Sequence, residues 1–524
     1  MTGKNIIGES LSADGKDVFY AENPATGQKL EPAFYEATDD EINKAIAGAA
    51  EAFQIYRGIS GKDKAQFLET IADEIVALGD DLIKRCMEET GLPEARLTGE
   101  RGRTVGQLKL FASLLREGSW VGARIDLADP ERKPLPKPDV RSMQRPLGPV
   151  GIFGASNFPL AFSVAGGDTV SALAAGCTVV FKAHPAHPGV CELVGLAIQR
   201  AAKKSNMPAG TFSMINGPSV RVGMALVKHP AITAIGFTGS YRGGKALFDE
   251  ANKRPVPIPV YAEMGSTNPV FILPDALKER KEKIAQELAA AVTLGVGQFC
   301  TNPGLVFVPN SEDSSKFKDA LATNIKGVNA GVMLTAGIQQ SFTKGIEKLR
   351  AAKGVDVLAQ GPSGGSGSHG SAHLLHASIK SFLTDHTLEE EVFGPSTLAI
   401  TADSREELLK AAKNLGGHIT ATLHATEKDL EDYSDLIDVL EQKVGRLIIN
   451  GYPTGVEVCH SMVHGGPFPA TTDSRTTSVG TGAITRFTRP VAYQNFPTSL
   501  LPAELRDGNP LNIFRLVNGE WKKT

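Results

Sequence analysis

Apolar residues recur every three or four positions along the first quarter of the chain and fall into short unbroken runs along the middle; this change of period marks a change of structure. Residues 1–37 read as short extended pieces, with Asn23-Pro24 and Gly27 making a turn. Thr38-Asp-Asp-Glu41 has the spacing of a capping box, in which a hydroxyl and a carboxylate satisfy exposed helix N–H groups. Ile42, Ala45, Ile46, Ala49, Ala50 and Phe53 then follow at helical intervals, so a helix with one buried face starts there. Ser60 opens a second, with Phe67, Leu68, Ile71, Ala72, Ile75 and Val76 on one side and Gly79 suited to its end. A third is predicted from about Glu94 to Arg116. Pro130, Pro134, Pro136 and Pro138 bar a helix from 123–146, which reads as a linker or protruding hairpin.

Past that segment, apolar strand patterns at 150–153, 177–182, 211–215, 232–237 and 260–263 alternate with helical patterns at 160–175, 188–203, 220–228 and 242–253. Such alternation predicts a parallel sheet covered on both faces. The rhythm resumes with strands at 270–273 and 305–308, helices at 280–294 and 315–325, and further α/β units to about residue 450. Residues 361–370 (GPSGGSGSHG) read as a flexible surface loop. From Ala483 onward, Thr, Phe, Val and Tyr interspersed with prolines suit edge strands.

Composition narrows the class. The 524 residues are 41% hydrophobic and 22% charged, enough for a sizeable core and for about three domains. Lys and Arg total 55 against 58 Asp and Glu, which gives no support to a nucleic-acid or anionic-membrane surface. The weakly polar stretch 150–181 is broken by Asn157, Pro159, Gly166, Gly167 and Asp168, so no membrane span is expected. Met1–Ala13 does not read as a signal peptide. The five scattered cysteines form no CxxC pair, which disfavours a disulfide scaffold or a structural zinc and points to a reducing, cytoplasmic setting.

Four places offer chemistry. Cys300 lies between a helical and a strand pattern, with Pro303 and Gly304 enforcing a turn. A cysteine there is either an exposed nucleophile, its pKa lowered by a nearby helix N-terminus, or a buried inert thiol. The other four cysteines lie in helical or strand patterns and read as core. Asn157, between a strand and a helix, offers its amide to the cleft at the carboxyl ends of the strands, or simply makes an Asx turn before Phe158-Pro159. Glu263 ends an apolar strand, as a desolvated base would, although a solvated strand-end carboxylate reads the same way. Phe237-Thr-Gly-Ser-Tyr-Arg-Gly-Gly244 is a strand, a glycine turn and a helix start, where backbone N–H groups and the helix dipole can hold phosphate. No GxGxxG is present, and the eleven histidines show no ligand spacing, so no metal is expected.

Taken in order, these motifs resemble the aldehyde dehydrogenase superfamily. The N-F-P motif is Asn157–Pro159, the cofactor lysine Lys182, F-T-G-S Phe237–Ser240 with Gly244, E-x-G Glu263–Gly265, G-Q-x-C Gly297–Cys300, and E-x-F-G-P Glu391–Pro395. The resemblance runs from about Thr38 to the C-terminus. Gly154-Ala-Ser-Asn157, Lys182-Ala-His-Pro-Ala-His-Pro188 and Phe299-Cys-Thr-Asn-Pro-Gly304 resemble a bacterial branch acting on α-ketoglutaric semialdehyde. A related branch acts on long-chain fatty aldehydes with NADP.

The resemblance implies an α/β fold: two parallel-sheet domains and a small β oligomerisation flap. Its parts would be a cofactor domain (1–122 and 147–264), a catalytic domain (265–482), and a flap (123–146) joined by C-terminal strands (483–524), in a homodimer or homotetramer. It implies a Cys300 nucleophile, a Glu263 base and an Asn157 oxyanion donor. Lys182 would meet the adenosine ribose, Gly239 and Ser240 the pyrophosphate, with Gly244 in the same turn, and Glu391 and Phe393 the nicotinamide side. Pro185 stands where many NAD-preferring members carry a Glu, and Arg221 resembles the arginine that meets a 2′-phosphate, so NADP is expected, with NAD also accepted. Arg103 is a candidate for a distal substrate carboxylate or a solvated helix arginine, and Phe158 is placed beside the substrate. A thiol hydrolase or a non-catalytic protein on this fold would produce no NADPH.

Overall fold

Thr38 accepts from the Glu41 N–H and Glu41 accepts from the Thr38 N–H, so the capping box opens the helix Asp39–Tyr56 in the computed structural model, which describes residues 1–523. Ser60 caps Gly61–Ala77, and Gly118, in left-handed backbone, closes Glu94–Glu117. Between them lies a helix that the periodicity did not single out, Gly79–Thr90. Gly79 has φ 58° and turns the chain into this new helix where the sequence reading saw only an end. The helix expected at 160–175 is corrected to Gly167–Ala175. Glu100 accepts the N–H groups of Leu160 and Ala161 at 2.8 and 3.0 Å, and these bonds hold the preceding residues in a loop.

The first sheet runs Val260–Glu263, Ala234–Thr238, Val150–Phe153, Val179–Lys182 and Phe212–Ile215, all parallel, and then antiparallel Asn5–Ile7 and Ser10–Ser12. Alternate residues feed opposite cores: Ile152 and Phe181 on one face, Phe153, Val180 and Ile235 on the other. The second sheet runs Val355–Gln360, His373–Ser378, Ser396–Ala402, Leu305–Pro309, Val270–Ile272, Thr420–His424 and Arg446–Ile449, with only the first strand antiparallel. It is likewise covered on both faces, Phe271 and Phe307 on one and Val270, Ile272 and Val306 on the other. Burial on both sides is why these strands read as continuous apolar runs.

The proline-rich segment forms an antiparallel pair, Arg124–Asp126 with Val140–Pro146. Thr488–Gln494 pairs with the latter as an edge strand, and Arg515–Val517 and Glu520–Lys522 complete the sheet. Residues 483–487 belong instead to a 3-10 turn, Thr481–Phe487. Before that turn the chain passes back along the first sheet: Met264 donates to the Ala470 carbonyl at 2.7 Å, and Thr471 bridges Glu263. Among the described residues no helix is long and apolar enough to cross a membrane.

Candidate active site

Three strand ends and one returning segment converge. Glu263 is the last residue of Val260–Glu263, Asn157 follows Val150–Phe153, and Cys300 precedes Leu305–Pro309. The returning segment supplies His464 and Ser478, which sequence reasoning missed. Cys300 Sγ lies 3.5 Å from His464 Nε2, and that nitrogen lies 2.9 Å from Glu263 Oε1. Ser478 Oγ donates to the other Glu263 oxygen. Thr477 Oγ1 accepts the His464 N–H at 2.8 Å and fixes the ring's backbone. His464 is fully buried, and its Nδ1 has no partner among the described residues. A neutral imidazole therefore carries its proton on Nε2, facing Glu263.

Burial opposes ionisation of Glu263, but the His464 imidazole and the Ser478 hydroxyl outweigh it and hold the carboxyl below its usual range. Burial pushes the Cys300 thiol well up; the charges of Glu263 and Glu391 push the same way, and Arg103 opposes them. The turn before Cys300 is a 3-10 stretch, Leu294–Gly297, and the chain continues into a strand. The expectation of a helix N-terminus lowering this pKa is thus corrected: no helix begins at this turn, and burial raises the thiol instead. Cys86, Cys177 and Cys191 are buried core thiols as read, whereas Cys459 is half-buried in an irregular loop, not in a helix or strand.

The Cys300 turn is built from left-handed backbone at Gly295, Val296 and Gly297 (φ 54°, 59° and 64°). A Cβ on Gly297 would lie 2.3 Å from the Gly394 carbonyl, so only glycine fits. Asn268 Nδ2 donates to the carbonyls of Cys300 and Asn302 at 2.9 and 3.0 Å and pins the far side. Asn157 Nδ2 donates to Gln298 O at 3.0 Å, beside the cysteine. Arg96 donates to Asn157 O at 2.6 Å, with its guanidinium over the rings of Phe158 and Phe299 at 5.0 and 4.9 Å.

A cleft of about 960 Å³ reaches these groups; its walls include Asn157, Glu263 and Cys300, and also Lys182, Pro185, Gly239, Ser240, Glu391 and Phe393. Ser240 caps the helix Tyr241–Asn252, accepting the Gly243 N–H at 3.2 Å, and the positive end of that helix opens on the cleft. Burial pushes Lys182 down to about 8. A Cβ on Gly265 would lie 2.2 Å from Glu391 Oε2, so the bare backbone lets that carboxylate reach the cleft wall. An anion-binding helix end, a cation and a carboxylate around one open volume fit a dinucleotide.

Four expected residues, Gly244, Arg221, Arg103 and Phe158, are not on the cleft wall. Gly244 is buried, where a Cβ would strike Met264 at 2.7 Å, so a bare backbone there lets the helix pack. Arg221 is ion-paired to Glu36 and Asp39. Arg103 lies over the aromatic rings, 6.0 Å from that of Phe158 and 5.3 Å from that of Phe162, near enough for its charge to act on Cys300, with Nε and Nη2 buried and unpartnered among the described residues. Phe158 itself packs edge-on against Phe162 and Phe299, both at 5.3 Å. Cys300, His464 and Glu263 bring their ligand atoms within 4.8 Å of one another, a donor set that suits a soft metal ion as well as covalent catalysis.

Two parallel-sheet halves, a cysteine with a buried carboxylate and imidazole where they meet, and a dinucleotide-sized cleft define a cysteine-dependent oxidoreductase. The chain belongs to the aldehyde dehydrogenase family, whose model matches residues 11–479, and is an oxidoreductase acting on aldehydes. It is 50% identical over 521 residues to alpha-ketoglutaric semialdehyde dehydrogenase 2 of Azospirillum brasilense, covering 99% of each chain. It is 49% identical over 518 residues to alpha-ketoglutaric semialdehyde dehydrogenase of Acinetobacter baylyi, covering 99% of this chain and 98% of that one. An aldehyde dehydrogenase structure from Bacillus cereus superposes with a TM-score of 0.79 at 23% identity, covering 94% of this chain and 96% of that one.

Proposed function

We propose that the chain oxidises α-ketoglutaric semialdehyde (2,5-dioxopentanoate) to 2-oxoglutarate, with NADP preferred and NAD also accepted. The observation that carries the substrate is identity of 50% and 49%, across nearly the whole chain, to enzymes bearing that name.

In this reading the Glu263 carboxylate, which hydrogen-bonds the Cys300 thiol directly and is held in place by the His464 Nε2–H and the Ser478 hydroxyl, takes the thiol proton and leaves a thiolate. The thiolate attacks the aldehyde carbon. The second amide hydrogen of Asn157 and the Cys300 backbone N–H hold the oxyanion. When bound, the nicotinamide supplies the two-electron hydride acceptor. Glu263 releases its proton to solvent through the cleft and then draws one from the water that hydrolyses the Cys300 thioester. Glu391 and Phe393 hold the nicotinamide-side ribose, Gly239 and Ser240 the pyrophosphate, Lys182 and Pro185 the adenosine ribose, and Arg221 the 2′-phosphate. The preference for NADP is supported by Pro185, which puts no carboxylate beside the ribose, and by Arg221. Arg103, beside Phe158, faces the distal carboxylate; its unpartnered buried nitrogens support this.

The cofactor domain comprises 1–122 and 147–264, the catalytic domain 265–482, and the oligomerisation sheet 123–146 with 483–524. That sheet ends in the mostly exposed strand Thr488–Gln494, which supports a homodimer or homotetramer. A nucleophilic free thiol supports a cytoplasmic setting.

The test is absorbance at 340 nm with each aldehyde and each cofactor. The expected result is the highest kcat/KM for α-ketoglutaric semialdehyde with NADP. Faster turnover of decanal would overturn the substrate in favour of a fatty aldehyde. In the same assay Arg103→Ala raises KM for the semialdehyde far more than for a neutral aldehyde, and an equal change for both removes Arg103 from the site.

A further inference from the structure

Arg221, second residue of the helix Val220–Lys228, is already engaged. Its Nη2 donates to Glu36 Oε1 at 3.1 Å and to the Ala37 carbonyl at 2.6 Å, and its Nη1 pairs with Asp39 Oδ1. Ser219, at the N-cap position of that helix, donates its hydroxyl to the same Glu36 oxygen instead of capping the helix. Glu36 follows the hairpin strand Gln28–Tyr35, and Asp39 is the first residue of the helix that the Thr38–Glu41 capping box opens. Both carboxylates thus come from the N-terminal segment, far in sequence from the turn they reach. Their exposures differ: the Glu36 side chain is 11% exposed, Arg221 44% and Asp39 71%. Glu36 is nearly buried against the guanidinium, whereas Asp39 reaches it from solvent. Glu36 also acts on Lys182, so one carboxylate lies between the two cations of the adenosine end.

We propose that Glu36 and Asp39 clamp Arg221 and compete with the 2′-phosphate, so that these two carboxylates set the NADP-to-NAD selectivity. The inference rests on Arg221 being the 2′-phosphate contact. A phosphate must displace Asp39 from the guanidinium and sit near Glu36, where like charges repel. A ribose 2′-hydroxyl has no charge to repel and can donate to a carboxylate. The clamp therefore penalises NADP alone and leaves NAD usable, even though Pro185 removes the carboxylate that excludes the phosphate in NAD-preferring relatives.

Calorimetry with adenosine 2′,5′-bisphosphate and with adenosine 5′-monophosphate reads the site without turnover. Asp39→Asn and Glu36→Gln each tighten the bisphosphate about three- to tenfold, the range of partly exposed ion pairs, and leave the monophosphate within about twofold. The NADP/NAD ratio of kcat/KM rises in parallel. Asp39→Ser, a helix-start residue, repeats the result if Asn disturbs the helix. If both substitutions leave bisphosphate binding unchanged or weaker while Arg221→Ala still loses it, the clamp is overturned and the Arg221 reading stands. If Arg221→Ala binds the bisphosphate like the parent, the Arg221 reading fails and takes the clamp with it.

Discussion

His464 presents one nitrogen to both a thiol and a carboxylate, and each partner shapes what its loss would do. Without the imidazole, Cys300 keeps the burial and the negative neighbours that hold its thiol well up, and Glu263 loses the N–H that orients its carboxylate and holds it ionised beside the thiol. His464→Ala is expected to lower kcat by about 10²–10⁴-fold, the usual contribution of a positioned acid or base. The pH dependence has a definite sign. A thiol with a raised pKa becomes reactive only as pH rises, so the alkylation rate of Cys300 by iodoacetamide climbs through the alkaline range, and His464→Ala moves that climb to higher pH. The measurement needs Cys459→Ser to silence the other half-buried thiol, because Cys177 and Cys191 are pushed up to about 11 and 12 by burial and stay inert. An unchanged alkylation profile in His464→Ala would remove the histidine from thiol activation.

At the scale of elements, the nucleophile is held by backbone shape as much as by side chains. Gly297→Ala must push the Gly394 carbonyl away and adopt left-handed backbone, which together destabilise by about 1–3 kcal/mol and swing Cys300 off its partners. The expected outcome is lower kcat with a lowered Tm; parent-like kcat would show that the turn has slack. Elements of this kind were unevenly legible in the sequence. Where a cap or a buried apolar run marks an element, the sequence locates it closely: the strand Val260–Glu263 and the helix Val220–Lys228 end where their patterns end. The helix Gly79–Thr90 escaped because a glycine suited to ending one helix here also begins the next. The loop before Gly167 escaped because its backbone is held by Glu100, a residue of a distant helix. For the site, strand-end and turn residues were readable through motif chemistry. His464, Ser478, Glu36 and Asp39 were not, since they reach the site from segments whose own pattern says nothing about where they dock.

Over the whole molecule, a buried ion pair ties the turn after the returning segment to a helix of the first domain. Arg486, in Thr481–Phe487, pairs with Asp168, in Gly167–Ala175, with the two side chains 3% and 10% exposed. Breaking such a pair from one side leaves a buried charge and costs about 3–5 kcal/mol, whereas removing both charges costs much less. Arg486→Met alone is expected to lower the urea midpoint more than Asp168→Asn combined with Arg486→Met. Strictly additive effects would show the two residues to be uncoupled.

The same return of the chain has a bearing on biosynthesis. Asn157, Glu263, Cys300, His464 and Ser478 emerge from the ribosome in that order, and the thiol meets its imidazole only when the last of the returning segment has docked. A chain cut before the returning segment holds Cys300 and Glu263 but lacks the imidazole and the hydroxyl that position the carboxylate. Full turnover is therefore expected only once synthesis has passed Ser478 and that segment has docked.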